Sequence, residues 1–388
     1  MNKHINRLID LESAIKKKSH FLLGPRQTGK SSAIAKQLPN VKIYDLLLTD
    51  VFRKLSYNPA AIREELQDND KFIVIDEIQK IPELLNEVQW LIEKKRVHFL
   101  LTGSSARKLK RYGTNLLGGR ARLLKLHPLV SAELGSHFDL NRALQYGLLP
   151  SIYFSDDPET DLEAYISLYI QQEIANESLT RNLPAFSRTL EIAALCQAEQ
   201  TNFTAVANDA QIPRTTVHEY FQILEDTLMI RKLEPWKQNK VRKPVATSKY
   251  YFFDWGVARK LQGHDKVTPK SILFGKAFES FLFHELDSFC DYFGKSGSTH
   301  KLHYWRTQNG DEVDFLLNDS VAIEAKAKSN LTANDLKGLI RLNEVTKCQH
   351  NIIVYLGEAR TLTPQPGIKI KALPPHEFLK ARWSGEWA

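Results

Sequence analysis

Eight residues near the N-terminus constrain the fold more than any other part of this 388-residue chain. GPRQTGKS, from Gly24 to Ser31, follows the apolar run HFLL and precedes SAIAKQL, whose composition favours a helix. Strand, glycine loop, helix is the order in which a backbone wraps a phosphate. Gly24 and Gly29 permit the tight turn, and the N–H groups of the new helix point at the anion. In that arrangement Lys30 reaches the terminal phosphates and the Ser31 hydroxyl ligates magnesium. The spacing alone arises by chance in about one chain in a hundred of this length, so it needs a partner.

The partner is KFIVIDEIQK, where an apolar strand from Phe72 to Ile75 ends in Asp76 and Glu77. This is the Walker B arrangement: Asp76 holds magnesium through water, and Glu77 orients or deprotonates the water that attacks the γ-phosphate. Together the two patterns predict ATP and Mg2+ as cofactors. The loop Gly24, Pro25, Arg26, Gln27, Thr28, Gly29, Lys30, Ser31, with Ser32 after it, is expected to surround the nucleotide. A third strand, VHFLL, runs into TGSS, in which Ser104 is the candidate γ-phosphate sensor; a plain turn explains it almost equally well. Arg120 and Arg122 follow a glycine pair, and Arg120 is the candidate arginine finger toward a neighbouring subunit, with a basic strand edge facing water as the competing reading.

GPRQTGKS, IVIDEIQK, LLTGSSARKL and LLGGRARLLKLHPLVSAEL, taken in order, resemble the prokaryotic AAA-type ATPases whose core is followed by a conserved domain of formerly unknown function. The resemblance implies a P-loop core, an ATP-magnesium site and assembly of subunits, and it leaves the substrate open.

Length allows roughly two to three domains. Hydrophobic residues at 43% and charged residues at 25% exclude a disordered or fibrous chain. A net charge of +8 permits a nucleic-acid partner without requiring one. The three cysteines, Cys196, Cys290 and Cys348, have neither disulfide nor zinc spacing, which points to a reducing compartment. With no signal-like start and no apolar run of membrane length, a cytoplasmic protein with no membrane partner is expected.

The expected fold class is α/β. It comprises a P-loop AAA-type core (1–130), a helical lid (131–180), a winged helix-turn-helix (181–255) and a C-terminal α/β PD-(D/E)xK nuclease-like domain (256–388). The winged helix is read from VHEYFQILEDTL, with Val217, Phe221, Leu224 and Leu228 at helical spacing. Its groove-facing residues would be Arg214, Thr215, His218 and Gln222, with phosphate contacts from Arg231, Lys232, Lys237, Lys240, Arg242, Lys243 and Lys249. A module that packs against other domains and binds nothing is the competing reading.

Near the C-terminus, ILFGKAFESFLFHEL reads as a helix carrying Glu279. The turn signals Asn309-Gly310 and Asn318-Asp319 then bound EVDFLL and introduce VAIEAKAK. Alternation along paired strands brings Asp314, Glu324 and Lys326 to one side. Two carboxylates suit magnesium, and a lysine two residues on can activate a bound water or stabilise phosphodiester charge. The order of elements resembles the PD-(D/E)xK nuclease fold, which implies Glu279, Asp314 and Glu324 as metal ligands and Asp314, Glu324 and Lys326 as catalytic. The leading functional expectation is an ATP-hydrolysing protein that acts on nucleic acid, DNA before RNA, with a metal-dependent cleaving domain and possible homo-oligomers. Its alternative is a non-nucleolytic ATPase switch whose C-terminal domains bind DNA or a protein. A small-molecule kinase would leave the downstream modules unexplained.

Overall fold

The computed structural model describes residues 5–104, 116–169, 180, 182–237, 247–293 and 300–387. Ser105, Lys240, Arg242 and Lys243 therefore lie outside the described residues. The chain divides into two compact units: Met1–Leu129 with Ile223–Met229, and Val130–Gln222 with Ile230–Ala388.

The first unit is built on a five-stranded sheet of β1 (Ser19–Leu23), β2 (Lys42–Asp45), β3 (Phe72–Asp76), β4 (His98–Gly103) and β5 (Ala121–Lys125). Their order is β2-β3-β4-β1-β5, and every pairing is parallel. A parallel sheet is covered on both faces, and alternate residues of each strand serve opposite covers. Ile73, Ile75, Phe99 and Leu101 pack with Leu84, Leu85, Val88 and Leu91 of the helix Leu84–Lys95. Leu22, Val74 and Leu100 face the other way, onto Ile34 of the helix Lys30–Gln37 and Leu11 and Ile15 of the helix Leu11–Lys17. Strand β4 lies between β1 and β3, so the two motif-bearing strand ends open at one edge of the sheet.

The second unit begins with short helices, including Leu140–Tyr146, Pro150–Tyr153 and Pro158–Tyr169. The helices Leu183–Leu195 and Phe203–Ala210 follow, then Arg214–Asp226, and an antiparallel pair β6 (Ile230–Leu233) and β7 (Lys249–Phe252). After the helices Trp255–Leu261 and Ile272–Phe293 comes a six-stranded mixed sheet: β8 (Leu302–Arg306), β9 (Glu312–Leu317), β10 (Val321–Lys326), β11 (His350–Tyr355), β12 (Arg360–Gln365) and β13 (Ile368–Leu373). Its order is β12-β13-β11-β10-β9-β8. Both expected turns are present: Gly310 has φ +88°, and Asn318 and Asp319 have φ +51° and +58°. The β9–β10 register pairs Leu317 with Val321, Leu316 with Ala322 and Phe315 with Ile323. Continued by one step, it sets Asp314 opposite Glu324. The helix Ala333–Val345, opened by reciprocal bonds between Thr332 and Asp335, buries Leu339 and Leu342 against Val313, Ala322 and Ile353. The strands β12 and β13 and the helix Pro375–Trp383 extend this unit beyond the NIIVYL strand at which the sequence reading stops.

Candidate nucleotide site and carboxylate cluster

In the first unit, Gly29 ends the loop in a left-handed conformation, φ +90°, which glycine adopts without strain, and the helix Lys30–Gln37 starts at the next residue. A Cβ on Gly24 would lie 2.4 Å from the Leu126 carbonyl oxygen, so the loop root also requires glycine. Lys30 is buried and donates to the Gly24 and Pro25 carbonyls at 2.7 and 3.1 Å. The buried Thr28 hydroxyl donates to Pro25 O at 2.9 Å. Arg26 is half-buried, Gln27 is exposed with φ +61°, and Ser31 and Ser32 lie exposed on the first helical turn.

Ser31 Oγ donates to Asp76 Oδ2 at 3.0 Å, joining the glycine loop to the end of β3. Thr102, at the end of β4, donates to Asp76 Oδ1 and accepts the Glu77 N–H at 3.1 Å. Glu77 itself stands at φ +60°, and its carboxylate accepts from Gln79 Nε2, which also lies 3.5 Å from Ser104 Oγ. Burial pushes the Glu77 carboxyl above the ordinary glutamate value, and the charge of Lys30 opposes that shift. A hydroxyl and a carboxylate in contact beside a lysine form the donor set that a magnesium-nucleotide needs, so the residues fit both groups.

Thr102, Gln79 and Arg7 join the expected residues. Arg7 donates to Thr28 O at 2.5 Å and His127 O at 2.6 Å, tying the loop to the chain after β5. Thr102 was visible as the first residue of TGSS, whereas Arg7 carries no motif. Ser104 is buried beside Gln79. Arg120 is half-exposed, with Nη2 2.7 Å from Glu93 Oε1.

In the second unit Asp314, Glu324 and Lys326 meet. Asp314 N–H donates to Glu324 Oε2 at 3.3 Å, Ala325 N–H donates to Asp314 Oδ2 at 2.8 Å, and Lys326 Nζ lies 2.5 Å from Glu324 Oε1. Both carboxylates are buried. Burial first, then the neighbouring Glu324 and Glu279, push the Asp314 carboxyl well above the aspartate range, while Lys249 and Lys326 pull it back. Glu324 is raised by burial, against the pull of Lys326. Burial disfavours charge on Lys326, but Glu324 and Asp314 outweigh it and hold its pKa above the lysine value. Two buried carboxylates at facing strand positions favour a cation, and the set fits a divalent ion.

Glu279 comes from the helix Ile272–Phe293, where its Oε1 accepts from Tyr251 Oη at 2.7 Å and from Lys249 Nζ at 3.1 Å. Lys249 was expected as an exposed phosphate contact. It is instead buried, with Nζ also 2.6 Å from Glu312 Oε1. Arg231, another expected phosphate contact, is paired with Asp287 and Asp291 at 3.3 and 3.1 Å. Both are consumed by internal carboxylates. Lys232 pairs with Glu234 at 3.0 Å, and Lys237 is exposed. Arg214, Thr215, His218 and Gln222 are all exposed, and the His218 ring packs tilted against Phe203 with centroids 4.2 Å apart.

The parallel sheet, the glycine loop and the Asp76 strand end all lie within a stretch that matches a known domain family. Residues 16–135 match the family described as AAA domain, residues 137–268 match the Domain of unknown function (DUF8612), and residues 274–375 match the Domain of unknown function (DUF4143). The chain thus carries an AAA domain followed by a C-terminal DUF4143 domain. Two curated relatives, Uncharacterized protein Mb2031c of Mycobacterium bovis and Uncharacterized protein Rv2008c of Mycobacterium tuberculosis, are each 26% identical over 304 residues. Those matches cover 76% of this chain and 66% of each relative's length. Among solved structures, replication initiator DnaA bound to AMPPCP and single-stranded DNA overlaps 57% of this chain and 89% of its own at 13% identity, TM-score 0.29. A STAND protein with a tetratricopeptide repeat sensor, PH0952 from Pyrococcus horikoshii, overlaps 73% of this chain and 46% of its own at 14% identity, TM-score 0.23. Neither overlap is close enough for a ligand or partner to be carried across. Among the described residues, no helix is long and apolar enough to cross a membrane.

Proposed function

We propose that this protein binds ATP with magnesium, hydrolyses it, and acts on DNA through its second unit, where Asp314, Glu324 and Lys326 serve metal-dependent phosphodiester cleavage. The observation that carries the ATPase reading is the Ser31–Asp76 contact with Glu77 next in sequence. Lys30 and the loop N–H groups bind the phosphates, Ser31 and Asp76 hold magnesium, and Glu77 accepts the proton of the attacking water. Bound magnesium supplies neutralisation of charge on the phosphates. The Gln79 bond to the Glu77 carboxylate, with Ser104 Oγ 3.5 Å from Gln79 Nε2, supports a role for Gln79 in fixing that carboxylate. Arg120 serves a neighbouring subunit only if it leaves Glu93, so that role belongs to a homo-oligomer.

For the second unit, the meeting of Asp314, Glu324 and Lys326 supports a PD-(D/E)xK-like site. The carboxylates would hold the ion, and Lys326 orients a water or stabilises charge on the phosphodiester. The helix Arg214–Asp226, with β6 and β7 behind it, supports a winged helix with Arg214, His218 and Gln222 on one exposed line, and the helices from 131 to 169 support a lid. The switch reading draws on a separate observation: the carboxylates of Asp314, Glu324 and Glu279 are already bonded to groups of the chain itself.

Purified protein incubated with circular and linear DNA, magnesium or manganese, and with or without ATP decides between them, beside Asp314→Ala. Cutting that disappears in Asp314→Ala supports cleavage. Intact ATP hydrolysis with no cutting in any condition leaves the switch.

A further inference from the structure

We propose that Lys249 is a fixed internal counter-cation of the Asp314–Glu324 site, withdrawing Glu279 and Glu312 from metal ligation and leaving a place for one divalent cation rather than two. The inference rests on the metal-site reading above and sharpens it.

The geometry is specific. The Lys249 side chain is 4% exposed, and its ammonium is shared between Glu279 Oε1 at 3.1 Å and Glu312 Oε1 at 2.6 Å. Glu279 Oε1 takes a second donor from Tyr251 at 2.7 Å, and Glu312 Oε2 faces Arg306 Nη1 at 2.5 Å. The ammonium lies 5.4 Å from the Tyr304 ring centroid, and the Tyr304 hydroxyl donates to Thr247 O two residues before Lys249, anchoring the strand that delivers it. Glu312 thus has a cation of the protein at each carboxylate oxygen, and Glu279 has Oε1 held by both Lys249 and Tyr251. Asp314 Oδ2 and Glu324 Oε2 each accept one backbone N–H and Glu324 Oε1 faces Lys326, so Asp314 Oδ1 and the second lone pair of Glu324 Oε2 are the positions that remain for an ion.

Charge points the same way. With all four carboxylates ionised, Glu279, Glu312, Asp314 and Glu324 face the buried Lys249, the half-buried Lys326 and the exposed Arg306, which leaves a deficit of one positive charge. One divalent ion over-corrects by a single charge. A second would bring a larger excess into a buried cluster, where unpaired charge is expensive.

The test counts Mn2+ bound to the nucleotide-free full chain by electron paramagnetic resonance, taking as the site's own the ions lost in Asp314→Asn. The native protein is expected to hold one such ion, Lys249→Ser to take up a second, and Lys249→Arg to return to one. Two Asp314-dependent ions in the native protein, or one in folded Lys249→Ser, overturn the inference and leave the metal site standing. No Asp314-dependent ion at all overturns the metal site and the inference with it. If Lys249→Ser fails to fold, water-proton relaxation of the bound Mn2+ decides. Glu279→Ala and Glu312→Ala leave the inner-sphere water count unchanged if Lys249 holds those carboxylates, and raise it if they ligate the ion.

Discussion

Ser31 and Asp76 stand 45 residues apart in sequence and are joined by a 3.0 Å hydrogen bond. Parallel strands that end at one edge of a sheet make this contact, with β4 between them to supply Thr102. If the pair holds magnesium, Ser31→Ala and Asp76→Asn weaken nucleotide binding in magnesium and change little in its absence. Lys30→Ala is expected to abolish binding. Titration with a fluorescent ATP analogue checks all three, and wild-type affinity in Lys30→Ala would falsify the nucleotide assignment.

Glu77→Gln is expected to keep ATP affinity and lower turnover by about 10²–10⁴-fold, the usual contribution of a general base. In the metal-free chain burial raises the Glu77 carboxyl above the ordinary glutamate value. If Glu77 is the base, the acid limb of the kcat profile is lost in Glu77→Gln. An acid limb unchanged in Glu77→Gln argues that another group is the base.

Glu285 gives a stability prediction with a definite sign. It is fully buried and accepts from Ser131 N and Oγ, both at 2.8 Å, and from Trp383 Nε1 at 2.6 Å, yet burial lifts its pKa to about 7 from 4.5. Between those values the folded chain holds a proton that the unfolded chain releases, so this group makes stability fall as pH rises from 4.5 to about 7. Denaturant midpoints across that window should show a negative contribution that Glu285→Gln removes. An identical slope in the variant would show that Glu285 titrates normally.

The exposed Arg214 and Lys237 are expected to add salt-dependent DNA affinity, each neutralisation reducing the log–log salt slope by about one. Arg231→Ala should instead lower stability, because it removes the ion pairs to Asp287 and Asp291. Gel shifts at several salt concentrations, beside thermal melts, separate these outcomes.

What was legible in the sequence had a local cause. GPRQTGKS and IVIDE advertise their strands and loop because the phosphate-binding turn needs glycines at fixed offsets, and the Asn318–Asp319 turn between β9 and β10 marks the hairpin whose register sets Asp314 opposite Glu324. Lys249 was misread because a run of lysines and arginines looks like a solvated face until long-range packing selects one for burial. Arg7 was missed because its partners are backbone carbonyls, which leave no residue-type signature. The strand β12 fell outside the reading because RTLTPQ has a single apolar aliphatic residue and no buried position, whereas the alternation of IKIKAL in β13 was legible and was not read.

Lys249 and Tyr251 reach the acidic cluster from β7, ahead of the helix and strands that supply the carboxylates. Those two stretches are therefore heritable only together. A recombination that joined residues 256–388 to a foreign upstream partner would deliver four acids without the buried ammonium that balances them, and the graft would need another cation in its place. Breakpoints that preserve the unit lie before residue 249.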